Sequence, residues 1–526
     1  MSQHDVIIIG AGFSGMYQLY TLRDQLGFDA LVIEAGDDVG GTWYWNRYPG
    51  ARVDIQSIEY SYSFSEELQQ EWDWTERYSA QPEIRAYAEH VADRFDLRRD
   101  ILFGTRVTAL DWDESATEWT VTTADGQTRT ARFVIAATGC LSVPSRPRFA
   151  GMDDFEGDLY WTSEYPQGTD LSGKRVAVIG TGSSGLQVIT AVAPEVADLT
   201  VFQRTPSYAI PAHNEPADAR LAAVRPDYES FREASRASLL GFQCVEGAIP
   251  VLELTEDAAR VELDSAWAEG GLCLNTRFPD AGTDPAANAV VAEYARGQIR
   301  AKVTDPVVAE KLSPRTYPIG SKRMCVDTGY YETYNRPNVH LVDLRETPIE
   351  RFTPTGIATM SGDYAFDVII MATGFDAMTG ALNAIDIRAG GQRLADKWAH
   401  GPRTYLGLMS HGFPNLFTVT GPQSPSVLSN MMTSIEFHVE WIADTLKYLR
   451  ENDIQRIEPD LDAEDNWVRT NNDLANLTLM PQAASWYMGA NIPGKEQVFL
   501  PFVGGVGLYR QVVQGMTLNH HGFELA

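Results

Sequence analysis

The sequence predicts an α/β fold of two doubly wound modules, the second of which carries a helical insertion. A short β-branched strand, a Gly-rich turn and a helix-compatible stretch follow one another from Asp5, and the same order returns from Arg175. Residues 212–314 are rich in Ala, Glu and Arg and have few strand signals, which is typical of helices. A chain of 526 residues that is 44% hydrophobic has material for two or more domains.

The charge and the order of apolar residues restrict the partners. The chain has 42 basic and 71 acidic residues, and the resulting net charge of −29 repels nucleic-acid phosphates and anionic membranes. The first residues, MSQHDVIIIGAG, have no basic region before their apolar run, and polar residues interrupt every longer apolar segment. We therefore expect no nucleic-acid partner, no secretion and no membrane span.

The four cysteines are far apart in the sequence. Cys140, Cys244, Cys273 and Cys325 are separated by 104, 29 and 52 residues, which matches neither a CxxC redox pair nor a zinc knuckle. No cluster of His, Asp and Glu has metal-ligand spacing. We expect reduced thiols, no disulfide, no bound metal and a cytoplasmic location.

The first module carries a phosphate-binding turn. Gly10, Gly12 and Gly15 form GxGxxG between the strand DVIII and a helix predicted over Met16–Leu26. Glu34 ends the next strand, where a carboxylate accepts hydrogen bonds from ribose hydroxyls, and this favours a nucleotide without a ribose phosphate, such as FAD. The predicted contacts in this turn and strand are Gly10, Gly12, Phe13, Ser14, Gly15 and Glu34.

The second module repeats this pattern with the opposite charge. GTGSSG follows the strand RVAVI, and the next strand leads into Arg204 and Thr205 where the first module has its carboxylate. A guanidinium and a hydroxyl there bind a 2′-phosphate, which favours NADPH over NADH. The predicted contacts are Gly180, Thr181, Gly182, Ser183, Ser184, Gly185, Gln187, Arg204 and Thr205. Two cradles of opposite ribose preference indicate electron transfer between two cofactors.

A repeated hairpin sets the predicted domain boundaries. Strands over Glu118–Thr123 and Thr128–Ala136 flank a turn and lead into ATG, and the same order returns over Ile357–Gly374. We expect residues 1–140 to form the first part of the FAD-binding domain and residues 375–526 its second part. Residues 141–374 form the NADP-binding domain, with the helical insertion at about 212–314.

Several longer motifs resemble those of the type I Baeyer-Villiger monooxygenases. The segment GGTWYWNRYPGARVD at 40–54 is similar to the N-terminal signature of that family. ATGFD at 372–376, GPRTYLGL from 401, GPQSPSVLSNM from 421 and SWYMGANIPGK from 485 are also similar. The resemblance covers essentially the whole chain.

The resemblance implies an NADPH- and O2-dependent flavoprotein that converts ketones to esters or lactones through a peroxyflavin, with sulfoxidation as a further activity. Because negative charge develops on oxygen, such an enzyme needs a fixed cation. Arg323 matches the family's arginine, and Asp54 matches the aspartate that orients it; both are predicted to be catalytic. By the residues alone, Asp54 could instead cap a following turn.

The resemblance also implies further contacts. Lys322 would assist Arg204 at the 2′-phosphate, and Ser426, Val427 and Leu428 would shape an apolar substrate pocket. The remaining predicted cofactor contacts are Gly41, Thr42, Trp43, Asp54, Tyr60, Lys322, Arg323, Ala372, Thr373, Gly374 and Trp486.

One motif departs from the family and leaves alternatives open. The family's Phe-x-Gly-x-x-x-His-x-x-x-Trp fingerprint is present as Phe155, Gly157, Trp161 and Tyr165, so that its histidine and its tryptophan are both replaced. Trp161 and Tyr165 are equally compatible with simple packing. The alternatives are an N- or S-oxygenating flavin-containing monooxygenase and an NADPH oxidase that releases peroxide.

Overall fold

The computed structural model describes residues 3–526. The strands, in chain order, are β1 (Gln3–Ile9), β2 (Ala30–Ile33), β3 (Ile101–Leu102), β4 (Val107–Asp113), β5 (Glu118–Thr123), β6 (Thr128–Ala136), β7 (Asp158–Trp161), β8 (Arg175–Ile179), β9 (Asp198–Gln203), β10 (Ala209–Pro211), β11 (Cys325–Asp327), β12 (Val339–Asp343), β13 (Ile349–Thr353), β14 (Gly356–Thr359), β15 (Gly362–Ala365), β16 (Val368–Met371), β17 (Asp386–Ala389), β18 (Gln392–Arg393), β19 (Leu416–Thr418), β20 (Ile457–Pro459) and β21 (Phe523–Leu525).

The α-helices are α1 (Phe13–Tyr20), α2 (Thr42–Trp45), α3 (Glu66–Glu71), α4 (Gln81–Arg94), α5 (Ser183–Val192), α6 (Asp218–Val224), α7 (Tyr228–Ala237), α8 (Glu256–Glu269), α9 (Pro285–Lys302), α10 (Pro306–Leu312), α11 (Tyr330–Thr333), α12 (Gly380–Asn383), α13 (Leu394–Lys397), α14 (Met431–Glu451), α15 (Leu461–Asn476) and α16 (Val506–Met516). Within residues 3–526, none of the helices combines the length and the apolar character that a membrane crossing needs.

The first sheet has nine strands. Their order is β18-β17-β4-β5-β6-β1-β2-β3, and β19 also pairs with β6. β1 is parallel to β2 and β6, whereas β5 is antiparallel to β4 and β6, as the hairpin pattern predicts. Val6 and Ile8 enter one apolar cluster and Ile7 and Ile9 another, so β1 is buried on both faces. The chain returns after residue 374 to supply β17, β18 and β19.

The second sheet has five parallel strands in the order β12-β9-β8-β16-β7. Val176 and Val178 pack on the side of α5, while Ala177 and Ile179 enter the cluster on the other face. In the register of β8 and β16, Ile179 lies opposite Met371, so the turns that follow these strands leave the sheet side by side. Ligands of doubly wound sheets bind beyond the carboxyl ends of the strands.

The helix predicted over Met16–Leu26 begins earlier and ends differently. Gly12 is extended, so α1 begins at Phe13 directly after the turn, and residues Thr21–Gln25 form a π-helical continuation. The GxGxxG turn itself therefore supplies the first helical turn, which the spacing of apolar residues does not show.

The predicted helices between residues 212 and 314 are present as α6–α10, and the described chain has no strand in this stretch. Local chemistry explains two of their beginnings. The Asp284 and Asp305 carboxylates accept hydrogen bonds from the first backbone N–H groups of α9 and α10, and a proline occupies the first helical position of each.

The expectation of four reduced thiols is wrong for two of them. Cys244 and Cys273 form a disulfide, with their Cα atoms 5.2 Å apart. Cys244 lies between α7 and α8 and Cys273 follows α8, so the folding of the helical segment brings together residues that the sequence spacing does not relate. Cys140 and Cys325 are free and buried.

Candidate functional site

Two glycines of the first turn are required by close backbone contacts. Gly10 has φ +104°, and a Cβ there would lie 2.7 Å from the Ala137 carbonyl oxygen. A Cβ at Gly15 would lie 1.8 Å from the carbonyl oxygen of Gly10. The turn therefore packs against the ATG segment after β6, and it leads directly into the amino end of α1, a position at which an anion binds favourably.

The segment around α2 closes this first cradle. Gly41 has φ +52°, and a Cβ there would lie 2.9 Å from the Gly12 Cα atom. Thr42 begins α2, Phe13 begins α1 with its ring perpendicular to that of Tyr60, and the Ser14 hydroxyl donates to the Ala137 carbonyl oxygen at 3.4 Å. The predicted contacts of the first module thus surround one space.

Glu34 is buried at the carboxyl end of β2. Its two carboxylate oxygens accept hydrogen bonds from the backbone N–H groups of Ala11 and Gly36, both at 2.6 Å. Each carboxylate oxygen has a second lone pair, so hydroxyl groups of a ligand can still donate to it. These two backbone contacts fix the orientation of the Glu34 carboxylate, which a ribose would require.

The second cradle has the same construction. Gly180 has φ +110°, and a Cβ there would lie 2.4 Å from the Ala372 carbonyl oxygen; a Cβ at Gly185 would lie 2.1 Å from that of Gly180. The Thr181 hydroxyl donates to the Thr205 carbonyl oxygen at 3.0 Å. Gly182 precedes α5, and Ser183 and Ser184 are the first two residues of that helix.

The ATG segment after β16 lines this cradle. The Thr373 hydroxyl donates to the Ser145 carbonyl oxygen at 2.7 Å, and the Ser145 N–H donates to that of Gly374 at 2.8 Å. These bonds hold Ala372, Thr373 and Gly374 against Ser145, which lies between β6 and β7, and beside the GTGSSG turn.

Arg204 and Lys322 are two neighbouring cations without an acidic partner. Arg204 is exposed, and neither side chain forms an ion pair within residues 3–526. The Lys322 Nζ atom lies 4.9 Å from the centre of the Tyr317 ring. Burial lowers the pKa of Lys322, and the charge of Arg204 lowers it further. In a chain of net charge −29, an unneutralised pair at a nucleotide cradle favours a bound anion.

The first module's segment 40–54 rests on the second module's helix α5. Gly50 has φ +80°, and a Cβ there would lie 2.5 Å from the Gln187 carbonyl oxygen. The Gln187 side chain donates to the Arg52 carbonyl oxygen and accepts from the Tyr48 hydroxyl, both at 2.9 Å. Gln187, a predicted cofactor contact, therefore joins the two modules.

Arg323 and Asp54 meet between the cradles. Arg323 donates from Nε and Nη2 to the two Asp54 carboxylate oxygens, at 2.7 and 2.8 Å, and from Nη1 to the Val427 carbonyl oxygen at 2.6 Å. Burial would lower the pKa of Arg323, but the charge and hydrogen bonds of Asp54 outweigh it and raise the pKa above its ordinary value. The guanidinium is therefore permanently charged and fixed in one plane.

Aromatic side chains surround this pair. The Trp43 indole N–H donates to the Tyr60 hydroxyl at 3.2 Å, and burial raises the pKa of Tyr60 to about 12. The rings of Trp486 and Tyr487 are 4.5 Å apart, and burial raises the pKa of Tyr487 to about 12 although the neighbouring charge of Arg323 opposes it. Both phenols are therefore neutral hydrogen-bonding groups at pH 7.

The loop with Ser426, Val427 and Leu428 contributes apolar surface beside Arg323. Val427 and Leu428 share a cluster with Trp486, and further members are Cys140, Met378, Tyr487, Phe499 and Leu500. Ser426 is buried with φ +39°, and its hydroxyl lies 3.6 Å from the Met378 sulfur. The surroundings of the charged pair are thus mainly apolar.

The two altered fingerprint residues make packing contacts. Trp161 ends β7 opposite Met371, and the Arg146 guanidinium lies 5.4 Å from its ring centre. Tyr165 is buried with its ring 5.4 Å from that of Tyr160. Neither contacts the Arg323–Asp54 pair.

The structure also shows contacts that sequence reasoning missed. The Val427 carbonyl oxygen holds Arg323, and Tyr487 lies beside it, yet only the position next to Trp486 could have suggested the tyrosine. The sequence gives no metal-ligand spacing, whereas the fold brings ligand atoms of Cys244, Glu269 and Cys273 within 4.8 Å of one another. The two sulfurs are bonded to each other, so they are not free to bind a metal.

Known proteins are similar to this chain over nearly its whole length. The model of the pyridine nucleotide-disulphide oxidoreductase family matches residues 7–245. A Baeyer-Villiger monooxygenase of Pseudooceanicola batsensis is 42% identical over 517 residues, which are 97% of this chain and 94% of that protein. An oxidized steroid monooxygenase bound to NADP is 48% identical, with a TM-score of 0.95 over 100% of this chain and 99% of the other. The complex of OTEMO with FAD and NADP is 39% identical, with a TM-score of 0.96 over 99% of both chains. With this similarity over nearly its whole length, the chain belongs to the Baeyer-Villiger monooxygenases.

Proposed function

We propose that the protein is an FAD-containing monooxygenase that uses NADPH and O2 to convert a small-molecule ketone into an ester or a lactone. The observation that carries the proposal is the Arg323–Asp54 pair, a fixed cation between two dinucleotide cradles. Membership of the Baeyer-Villiger family favours ketone oxygenation over N- or S-oxygenation and over an uncoupled NADPH oxidase.

The first cradle fits FAD. Gly10 and Gly15 leave no room for a Cβ, which fixes the tight turn before α1 where a pyrophosphate would bind, and the Glu34 carboxylate is held where ribose hydroxyls can donate to it. Gly41, Thr42, Trp43 and Tyr60 would line the rest of this site. When bound, FAD passes electrons from the nicotinamide to O2 and so supplies the activated oxygen.

The second cradle fits NADPH. Its GTGSSG turn repeats the backbone geometry of the first cradle, and Arg204, Thr205 and Lys322 supply two charges and a hydroxyl for the 2′-phosphate. Thr181, Ser183, Ser184, Gln187 and Ala372–Gly374 would line the remaining contacts.

Arg323 would stabilise negative charge on the reacting oxygen. Three of its five N–H groups bind Asp54 and Val427, and the other two, beside the Tyr487 hydroxyl, would be the donors to an oxygen ligand. Preorganised donors of this kind are typically worth about 3 to 4 kcal/mol of transition-state stabilisation. Asp54 would fix the guanidinium plane without transferring a proton, because both of its oxygens are engaged by Arg323.

The substrate would bind beside the apolar side chains of the Ser426–Leu428 loop and Trp486. These side chains would exclude water and so strengthen the interaction between Arg323 and a developing oxyanion.

For the domains we propose residues 1–140 and 375–526 for FAD and residues 141–374 for NADP, and a cytoplasmic location stays a prediction.

Product analysis of the wild-type holoenzyme and of Arg323→Ala tests the proposal. A panel of cyclic, linear and aromatic ketones is incubated with NADPH and O2, and ester, peroxide and NADPH are measured together. We expect ester from at least one ketone with the wild-type protein, and from none with Arg323→Ala. Arg388→Ala, which removes an exposed ion pair with Asp386 on β17, is the matched control and keeps wild-type turnover. Peroxide equal to NADPH consumed with every ketone would overturn the proposal.

A further inference from the structure

The Cys244–Cys273 disulfide lies outside both cradles, near the surface of the helical segment. Cys273 is buried, whereas Cys244 is half-buried and its neighbour Val245 is 53% exposed. The Cys244 side of the bond is therefore more accessible to a small thiol in solution than the Cys273 side.

The disulfide anchors one side of a segment that we define as Leu239–Gly247. The Thr276 hydroxyl donates to the Val245 carbonyl oxygen at 3.1 Å, and the Gly247 N–H donates to the Thr276 carbonyl oxygen at 3.0 Å. These contacts join the Leu239–Gly247 segment to the residues that follow Cys273. The disulfide and these two hydrogen bonds thus hold the second half of the Leu239–Gly247 segment, which we call its outer half.

The first half of the same segment, its inner half, contacts residues next to the candidate site. The Asn430 N–H donates to the Leu240 carbonyl oxygen at 2.8 Å, and the Thr433 hydroxyl donates to that of Gly241 at 2.8 Å. The Gln243 N–H donates to a Glu59 carboxylate oxygen at 2.7 Å. The segment therefore bridges the helical insertion and the first module.

Two of these three anchoring residues, Asn430 and Glu59, lead to the surroundings of Arg323. Asn430 caps α14 immediately after the Ser426–Leu428 loop, whose Val427 carbonyl oxygen binds Arg323. Glu59 precedes Tyr60, and the Asn430 side chain donates to the Glu59 carbonyl oxygen at 2.8 Å. A continuous set of contacts thus joins the disulfide to the Ser426–Leu428 loop, which we call the pocket loop.

We propose that the Cys244–Cys273 disulfide is a reversible redox site that controls the order of the pocket loop through the Leu239–Gly247 segment. A dithiol reductant transfers two electrons and two protons to the pair, so that the S–S bond breaks, two thiols form and the reductant becomes a cyclic disulfide. The oxidised form holds the segment against Asn430 and Glu59, and the reduced form loosens it. The effect on ketone binding rests on the proposed function, whereas the effect on loop order does not.

The test compares the oxidised holoenzyme with the same protein after treatment with dithiothreitol. Denatured oxidised protein should titrate two thiols and reduced protein four, as the pairing of two of the four cysteines requires. In the reduced form, amide hydrogen exchange should become faster in peptides that cover the Leu239–Gly247 segment and the Ser426–Leu428 loop, and should stay unchanged in β8 and β9. The KM for a ketone should rise roughly 5-fold or more, the lower end of typical coupling between two sites, with the KM for NADPH unchanged.

The double variant Cys244→Ser/Cys273→Ser separates this effect from general effects of the reductant. It should match reduced wild-type protein in exchange and ketone KM, and dithiothreitol should not change it. The wild-type comparison needs no variant, so it stands if the double variant does not fold. Equal exchange of the pocket loop in the oxidised and reduced forms would overturn the proposal. Absence of ester from every ketone would instead overturn the proposed function, because the exchange measurement does not depend on turnover.

Discussion

Arg204 and Lys322 repel each other and have no carboxylate partner within residues 3–526, so a bound phosphate would remove an unfavourable interaction as well as add hydrogen bonds. Lys322 lies against the Tyr317 ring, which fixes its position, whereas Arg204 is exposed and free to follow the ligand. Arg204 is therefore the residue at which preference between the two nicotinamide cofactors can be tested most directly.

We expect Arg204→Gln to raise the KM for NADPH about 10- to 100-fold, because a hydrogen bond to a charged group typically contributes about 1.5 to 3 kcal/mol. The KM for NADH should change little, since NADH lacks the 2′-phosphate. Steady-state kinetics with both cofactors measure the effect, and Arg388→Gln serves as the control for loss of a surface charge. An equal rise for NADPH and NADH would contradict the assignment of Arg204.

At the charged pair, Asp54→Asn should lower kcat for ketone oxygenation about 10- to 100-fold, as is typical when a side chain that orients a catalytic group is changed. An amide can accept only one of the two hydrogen bonds from Arg323 and no longer neutralises its charge. The flavin absorbance spectrum and the KM for NADPH should remain close to wild type. If kcat is unchanged, Asp54 has only a structural role.

Some residues of this site could be predicted from the sequence and others could not. The glycine turns and Glu34 follow from spacing and strand position, whereas Arg323 and Asp54 came from the family resemblance. The Val427 carbonyl oxygen could not be predicted, because every residue has a backbone carbonyl and only the fold selects one. For Tyr487, no spacing relates it to Arg323, since the contact joins distant parts of the chain.

Among the elements, the turn that follows the segment 40–54 contains a buried carboxylate, that of Glu59. Burial raises the pKa of Glu59 from its ordinary value of 4.5 to about 7, and hydrogen bonds from Gln243 and Ser235 and the charges of Arg232 and Arg220 oppose that rise only in part. The folded protein therefore favours the protonated form. Its contribution to stability is present below pH 4.5 and is lost as the pH rises through about 7.

We expect Glu59→Gln to be more stable than wild type at pH 8 and similar to it near pH 4. The interval between 4.5 and about 7 corresponds to an upper limit of about 3 kcal/mol. The glutamine carbonyl oxygen can still accept the hydrogen bonds from Gln243 and Ser235. Thermal unfolding at a fixed scan rate from pH 4 to pH 8 measures the difference. A stability difference that grows as the pH falls would contradict the prediction.

The element pattern was largely predictable, since β1, β8, the hairpin and the helices of residues 212–314 all lie where alternation and turn residues indicate. The beginning of α1 was predicted three residues too late, because the GxGxxG turn passes into the helix without a separate cap. The disulfide was not predictable, since the distance between Cys244 and Cys273 depends on how α8 packs.

For the whole molecule, cofactor binding should contribute strongly to stability. The first cradle lies between β1, β2 and the ATG segment, so FAD would contact elements that are far apart in the chain. A ligand that binds only the folded protein at 100 times its Kd stabilises it by about 2.7 kcal/mol.

We therefore expect flavin-free protein to unfold at a lower temperature and FAD to restore the higher Tm. FMN should restore less, because it lacks the adenosine part whose ribose would bind Glu34. Differential scanning fluorimetry of protein stripped of flavin measures both effects. Equal recovery with FMN and FAD would show that Glu34 and the GxGxxG turn do not hold an adenine dinucleotide.

The sequence by itself determined that the chain has two dinucleotide cradles of opposite charge, because a glycine turn and the residue that ends the following strand act over short distances in the chain. Only the tertiary structure decided which groups meet between them. Asp54, Arg323 and Val427 come from three distant segments, and the two cysteines that pair come from the loop before α8 and from the residues after it. Such contacts depend on how helices and sheets pack, and local sequence patterns do not encode that packing.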